Sequence, residues 1–251
     1  MWIAHYAQGL IAKPFAPRVP LIVLALAGAA PDAAFFLMQF VGIETFNFDK
    51  TLVKKGCFPY TNDYPYSHSL VGMAAVGVAI ALFYKMFARV YASPKDLAVI
   101  VATSASHFLL EWPSHREDIQ IIPHDDKALG ASLFDSPSAT FIIEITIFLL
   151  GFGIYASFAP MATQAGFRNN PGRVQMTFLF MVVQQAMFCF GSAPTLETRW
   201  VHGPLFLAEI LWSCWLLGKL DAQSAGAIPD MSHLKLSAQE KTITVDSAKK
   251  D

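Results

Sequence analysis

Residues 97–118 read LAVIVATSASHFLLEWPSHRED and join a long apolar run to four side chains that can bind a metal. His107, Glu111 and His115 follow one another at intervals of four residues, and Asp118 comes three residues later. Because residues four apart on an α-helix lie one above the other, this spacing predicts a shared helical face. Imidazoles and a carboxylate on adjacent turns can converge on one cation, with Glu111 as a ligand or as the base that activates a bound water. The same spacing also fits a simple hydrogen-bonded histidine–carboxylate pair.

The location of this stretch favours the metal. Its first fifteen residues are apolar apart from Thr103, Ser104, Ser106 and the candidate ligands His107 and Glu111. Ionisable groups are costly in a bilayer, so those that occur there usually face a bundle interior and mark a functional site. Pro113 predicts that the helix ends or kinks near Trp112, because its ring clashes with the backbone of the preceding turn. His115 and Asp118 lie beyond that point.

The composition is that of an integral membrane protein. Hydrophobic residues make up 54% of the chain, charged residues only 15%, and the mean hydropathy is +0.42. The net charge of −1, with no dense basic run, excludes a nucleic-acid partner. The three cysteines, Cys57, Cys189 and Cys214, are widely spaced, so they form no zinc or redox motif and predict no disulfide framework.

Six apolar segments are long enough to predict membrane spans: residues 19–43, 66–84, 97–112, 136–160, 174–196 and 203–218. Residues 1–12 are too short to span, and predict either an amphipathic surface helix or a half-helix that dips in against the first span. We expect an all-α polytopic membrane helix bundle of about six transmembrane helices plus a short N-terminal half-helix. Residues 1–221 would form this domain with its metal site, and the polar residues 222–251 a disordered cytoplasmic tail.

Basic residues predict the orientation. Lysines and arginines cluster around residues 13–18, 85–95 and 168–173 and in the tail, and these positions all fall on one side of six crossings. Since cytoplasmic loops accumulate Lys and Arg, both termini are predicted to be cytoplasmic, and Glu111 with the acidic loop after it to lie at the opposite face.

Further ionisable side chains lie in or next to apolar segments. Asp32 stands in the middle of the first span, at a depth similar to that of His107, and His68 begins the next span. His5 reaches the same depth only if the N-terminal half-helix dips inward. The alternatives are a protonated or helix-capping aspartate and histidines at the membrane boundary or the surface. Glu144, in the fourth span, is a candidate for orienting a ligand histidine.

With these residues in place, a resemblance to a known family can be stated. The chain resembles the membrane-bound metal-dependent hydrolases, a family of inner-membrane proteins, over about residues 2–144. The likeness rests on the following residues in order: His5, Pro31-Asp32, Tyr66-Ser67-His68-Ser69-Leu70, His107-x-x-x-Glu111, His115 and Asp118. The ligand order is also distantly similar to that of zinc-dependent phospholipase C and P1 nuclease.

The resemblance implies a bacterial inner-membrane protein in which His5, Asp32, His68, His107 and Glu111 ligate a metal, with His115 and Asp118 close by. This chain departs from the family at Glu111, where the pair usually ends in aspartate.

The leading hypothesis is hydrolysis of an ester or phosphoester, possibly of a lipid-like substrate, by a metal-activated water. One or two divalent ions, zinc in the first place, would be held by His5, Asp32, His68, His107, Glu111 and His115, and Glu111 or Asp118 would accept the proton of the water. Membrane lipids are the expected partners. The alternatives are a proton- or cation-coupled transporter or channel that uses the same residues as a relay, and a structural or partner-binding membrane protein in which they only join helices.

Overall fold

A computed structural model of the chain describes residues 2–53, 56–88, 91–159, 171–193 and 195–221. The described part of the chain is mostly helical, with 66% of its residues in helices. The helices are α1 Ala4–Ala12, α2 Leu21–Val41, α3 Leu70–Phe87, α4 Pro94–Ala105, α5 His107–Ser114, α6 Pro137–Phe158, α7 Pro171–Phe190 and α8 Gly203–Gly218. The strands are β1 Thr45–Phe48 and β2 Tyr60–Asp63, and short helical turns lie at Leu133–Asp135 and Thr198–His202.

Five helices are long and apolar enough to cross a membrane, which fits an integral membrane protein. They are α2, α3, α6, α7 and the helix Thr198–Gly218 that contains α8. The remaining predicted span, residues 97–112, is divided between α4 and α5, which meet at Ser106. Each of these two helices is shorter than a span, so the count of six stays a prediction. The predicted tail, residues 222–251, lies outside the described residues.

The N-terminal helix α1 is buried within the bundle and does not lie on its surface. The side chains of Ile3, His5 and Leu10 are all fully buried. A helix start leaves backbone N–H groups without intrahelical acceptors, and here other helices supply them. Glu144 Oε2 in α6 accepts hydrogen bonds from the backbone N–H groups of Trp2, at 2.6 Å, and Ala4, at 3.2 Å. The half-helix therefore dips inward, as one of the two alternatives predicted.

Two glycines allow α1 to lie directly against α2. A Cβ on Gly9 would come within 2.5 Å of the backbone N of Ala25, and a Cβ on Gly28 within 2.3 Å of the carbonyl oxygen of His5. Neither approach is possible for a residue with a side chain. Close backbone contact between small residues is a common way of packing helices in membranes, and here it fixes the height of His5 against α2.

A two-stranded antiparallel hairpin follows α2, where the sequence predicted only a loop. Thr45 pairs with Asp63 and Phe48 with Tyr60. Its apolar face packs inward: the rings of Phe46 and Tyr60 stack with centroids 4.2 Å apart. The hairpin thus covers the end of the bundle at which α2 finishes.

A buried ion pair joins the two ends of the described chain. Lys13 Nζ lies 2.6 Å from Asp221 Oδ2 and also donates to the carbonyl oxygen of Val19 at 2.8 Å. The same carboxylate oxygen accepts from the backbone N–H of Leu21 at 2.9 Å. Both charged side chains are fully buried. The end of α1, the start of α2 and the residues after α8 are therefore held together at one place.

Candidate metal centre

Six side chains of types that can bind a metal come from separate parts of the chain and converge in the bundle. His5 comes from α1, Asp32 from α2, His68 from the turn before α3, His107 and Glu111 from α5, and His115 from the residue after α5. They form three overlapping groups in which the ligand atoms lie within 4.8 Å of one another: His5 with His107 and Glu111, Asp32 with His68 and His107, and His68 with Glu111 and His115. All six side chains are at least 88% buried.

Glu111 lies at the middle of the cluster. Its Oε1 is 2.7 Å from His5 Nε2 and its Oε2 is 2.5 Å from His115 Nε2. His107 Nε2 and His68 Nε2 lie slightly farther from the same carboxylate, at 3.8 Å and 3.9 Å. One carboxylate thus reaches all four imidazoles.

Asp32 closes the other side of the cluster. Its Oδ1 is 3.3 Å from His68 Nε2 and 3.5 Å from His107 Nε2, and its Oδ2 is 3.7 Å from His5 Nε2. The rings of His5 and His107 stack with centroids 3.7 Å apart. Three imidazoles therefore direct Nε2 into the space between the carboxylates of Asp32 and Glu111.

The predicted common helical face is only partly present. His107 and Glu111 lie on α5 as expected, but the helix ends at Ser114 and His115 has an extended backbone, with φ −74° and ψ 159°. Pro113 is inside the helix, so the predicted end near Trp112 is two residues too early. His115 reaches Glu111 because the chain turns back after the helix, and not because of helical spacing.

Hydrogen bonds fix the tautomer of two ligand histidines. His107 Nδ1 lies 2.7 Å from the carbonyl oxygen of Gly28, which can only accept, so Nδ1 carries the proton and Nε2 a lone pair. The Ser67 hydroxyl donates to Glu44 Oε2 at 2.6 Å, and it therefore accepts from His68 Nδ1 at 2.8 Å. Such partners orient the imidazoles that bind metals in proteins.

His115 has two partners on the side remote from Glu111. Its Nδ1 lies 2.8 Å from the Tyr64 hydroxyl and 3.2 Å from Asp118 Oδ1. Burial by itself lowers the pKa of His115, but the carboxylates of Glu111 and Asp118 outweigh it and raise the pKa to about 9. Without a bound cation, His115 is therefore protonated at neutral pH. Asp118, a predicted catalytic residue, lies behind His115 and is not in the group of converging ligand atoms.

The donor set fits a divalent cation. His5 Nε2 and His107 Nε2 are buried and make no hydrogen bond with the described part of the chain, although carboxylate oxygens lie 2.7–3.8 Å away. Nitrogen atoms that approach carboxylates without hydrogen-bond geometry are the arrangement expected around an ion. Imidazole nitrogen and carboxylate oxygen are ligands of zinc, and two buried carboxylates balance a double positive charge.

A cavity adjoins the cluster. Its volume is about 30 Å³, and Asp32, His68, Glu111 and His115 form its polar wall. The opposite wall is aromatic and includes Phe35, Phe36, Phe46, Phe58, Phe134 and Phe206. This space is enough for about one water molecule beside the polar groups.

Comparisons with protein-family models, curated proteins and solved structures find no match to this chain. The resemblance to metal-dependent hydrolases therefore stays an interpretation of residues, and the site is argued from its geometry.

The supporting residues were not predicted. Glu44, Ser67 and Tyr64 hold the remote nitrogens of His68 and His115. Only the adjacency of Ser67 to His68 was visible in the sequence; the helix cap of α3 is the nearby Ser69. Glu144 caps the start of α1, and its hydrogen bonds are to backbone groups instead of a ligand histidine.

Proposed function

We propose that this membrane protein binds one or two divalent metal ions, zinc in the first place, and hydrolyses an ester or phosphoester. The observation that carries the proposal is the convergence of four imidazoles and two carboxylates from distant parts of the chain on one buried space. Burying so many ionisable groups without compensation is costly, and a cation between them offsets that cost.

The ligands we propose are His5, Asp32, His68, His107, Glu111 and His115. Six ligands exceed the four of a single tetrahedral zinc, so the set would hold two ions, or one ion with the remaining side chains supporting its ligands. When bound, such ions lower the pKa of a water molecule and make it a nucleophile near neutral pH. Asp118 lies 3.2 Å from His115, and its side chain is 30% exposed. This pair would therefore pass a proton from the cluster to solvent.

The substrate we propose has an apolar part. The ester would lie against the polar wall of the cavity, and the aromatic side chains opposite would move apart to admit and contact a hydrocarbon portion. Since the centre lies within a bundle of apolar helices, a lipid-like ester or phosphoester from the surrounding bilayer suits both walls.

The arrangement of the residues supports a metal centre over a relay for protons or cations. A relay requires ionisable side chains that follow one another along the bundle. Here each of the six lies within 4 Å of at least one other member of a single cluster.

We also propose six crossings, with α4 and α5 together forming the third. Their combined range runs from residue 94 to residue 114 and is interrupted only at Ser106, whose backbone remains in the helical region. At about 1.5 Å per residue, this is long enough to cross a bilayer. Six crossings would place both termini at the cytoplasmic face of a bacterial inner membrane.

The metal content of the full-length chain, purified in detergent without added chelator, tests the proposal. We expect one to two equivalents of zinc per chain, and loss of most of it in a His107→Ala, Asp32→Ala double variant. His124→Ala is the matched control, because His124 contacts Tyr66 and lies outside the cluster. A metal-free native chain, or equal metal in the double variant and the control, would overturn the metal centre.

Activity is tested separately on the metal-loaded protein with chromogenic carboxylic and phosphoric esters presented in mixed micelles. We expect turnover of one class that disappears with the double variant and persists with His124→Ala. A fully loaded protein that cleaves neither class would retain the metal centre but contradict hydrolysis.

A further inference from the structure

Two cysteines that are 132 residues apart in the sequence meet beside the candidate metal centre. Cys57 lies in the segment that leads into β2, and Cys189 in the last turn of α7. Both thiols are free and buried, and together with Phe134 they form a separate apolar cluster. The third cysteine, Cys214, is in α8 and packs in the main core.

The neighbours of the two cysteines hold them side by side. The rings of Phe58 and Phe188, each adjacent in sequence to one cysteine, lie 6.3 Å apart, and both pack on Phe134, at 5.1 Å and 5.5 Å. The backbone N–H of Cys57 donates to the carbonyl oxygen of Phe134 at 3.0 Å. The segment that carries Cys57 is thus fixed against the end of α7.

The two thiols lie in one buried cluster with Phe134. The Cys57 thiol donates to the carbonyl oxygen of Phe134 at 3.5 Å, and its pKa lies below the ordinary value chiefly because of the neighbouring Cys189 thiol. Gln185 Nε2 donates to Cys189 Sγ at 3.2 Å. Because both side chains belong to one small buried cluster, rotation of the Cys57 thiol away from Phe134 and a local approach of the two sulfurs would bring them to the disulfide bond length of about 2.0 Å.

We propose that Cys57 and Cys189 are a redox site that closes to a reversible disulfide. The oxidant is a disulfide of the surrounding compartment, either a small molecule such as glutathione disulfide or a thiol–disulfide oxidoreductase. The Cys57 thiolate attacks one sulfur of that disulfide and releases a thiolate, and the Cys189 sulfur then displaces the second. In total the two cysteines lose two protons and two electrons, and the oxidant becomes two thiols.

This pairing differs from the expectation drawn from the sequence, in which three widely spaced cysteines predicted no disulfide framework. Spacing along the chain carries no information here, because the partners come from the hairpin region and from the end of a distant helix. Both lie on the face that the charge pattern predicts to be extracytoplasmic, where disulfides persist.

The disulfide would tie the wall of the cavity to α7. Phe58, next to Cys57, lies 5.2 Å from the ring of His115, and Tyr64 at the end of the same hairpin region contacts His115 Nδ1. A covalent bond at Cys57 restrains this segment from moving away from the centre. We expect oxidation to stabilise the folded chain. We also expect it to slow the passage of small molecules between the cavity and its surroundings through the aromatic wall.

Counting thiols in the full chain tests the site. The purified protein is treated with glutathione disulfide or with dithiothreitol, then denatured and labelled with a maleimide-polyethylene glycol. We expect three labelled thiols after reduction and one after oxidation, with an intact mass lower by two hydrogens. The Cys214→Ser variant keeps only Cys57 and Cys189. It should therefore carry two labels after reduction and none after oxidation.

Single variants separate this pair from random oxidation. Cys57→Ser and Cys189→Ser should each fail to lose two hydrogens, and the rise of about 5 °C in melting temperature that we expect on oxidation should be absent from both. Three thiols that persist in the oxidised wild type, a glutathione adduct that does not resolve, or a loss of hydrogens that involves Cys214 would each overturn the proposal. None of these readouts depends on bound metal or on hydrolysis.

Discussion

The direction of the His68 lone pair depends on a serine that binds no metal. Ser67 accepts from His68 Nδ1 while it donates to Glu44, so His68 Nε2 is free of a proton and faces the centre. Side chains that orient ligands in this way typically change metal affinity when they are removed.

Substitution of Ser67 tests this role. We expect Ser67→Ala to lower the metal affinity about 10–100-fold, measured by competition with a chromogenic chelator. Ser69→Ala is the matched control, because the Ser69 hydroxyl caps α3 through the N–H of Gly72. The control should lose some stability but keep its affinity, and equal affinities in the two variants would contradict an orienting role for Ser67.

Protonation of His115 predicts how metal binding depends on pH. Its pKa, raised to about 9 by Glu111 and Asp118, means that the metal-free protein holds this proton at neutral pH. A cation must displace it, so affinity should rise as the pH is raised from 6 towards 9, with release of a proton. Titration calorimetry in buffers of different ionisation enthalpy measures that release. A His115→Gln variant should release fewer protons when it binds the metal. A metal affinity of the wild type that does not change between pH 6 and 9 would contradict the protonated state of His115.

The candidate ligands could be predicted from sequence because each is an ionisable residue in an apolar setting. Their partners could not. Glu44 and Tyr64 occur in a polar, aromatic segment where such residues are ordinary, and only the fold brings them to His68 and His115.

At the scale of elements, long apolar runs were enough to predict the five helices that can span a membrane, since length and hydropathy alone define them. The hairpin was missed because each strand has only four residues. An alternation of apolar and polar residues over so few positions does not show the two-residue period of a β-strand clearly. The division between α4 and α5 at Ser106 was also missed, as no proline or glycine marks it.

The contact of α1 with α2 gives a test at this scale. Gly28→Ala places a methyl group against the carbonyl oxygen of His5, so we expect α1 to shift, and metal content and melting temperature to fall. Gly153→Ala in α6 is the matched control, because a Cβ there meets no atom within 4 Å. Since alanine favours helix over glycine by about 1 kcal/mol, the control should be as stable as the wild type or more so. Full metal content in Gly28→Ala would show that this contact does not place His5.

At the scale of the whole molecule, the buried Lys13–Asp221 pair links the first and last described helices. We expect Lys13→Met to destabilise the protein by about 3–5 kcal/mol, because Asp221 would keep a buried charge without its cation. A Lys13→Met, Asp221→Leu double variant should recover part of this loss, although the N–H of Leu21 then lacks its acceptor. Reversible unfolding in mixed micelles measures both, and a single variant as stable as the wild type would contradict a structural role for the pair.

The capping of α1 by Glu144 has a consequence for biosynthesis. Helix α1 is synthesised before α6 and can reach its final position only after α6 has been inserted, because the backbone N–H groups of Trp2 and Ala4 have their acceptor on Glu144, about 140 residues later. Until then the first backbone N–H groups of α1, the helix that carries His5, lack their acceptor. The proposed set of metal ligands is therefore incomplete. A nascent chain arrested before residue 137 should therefore leave α1 open to added protease, whereas a released chain that contains α6 should protect it.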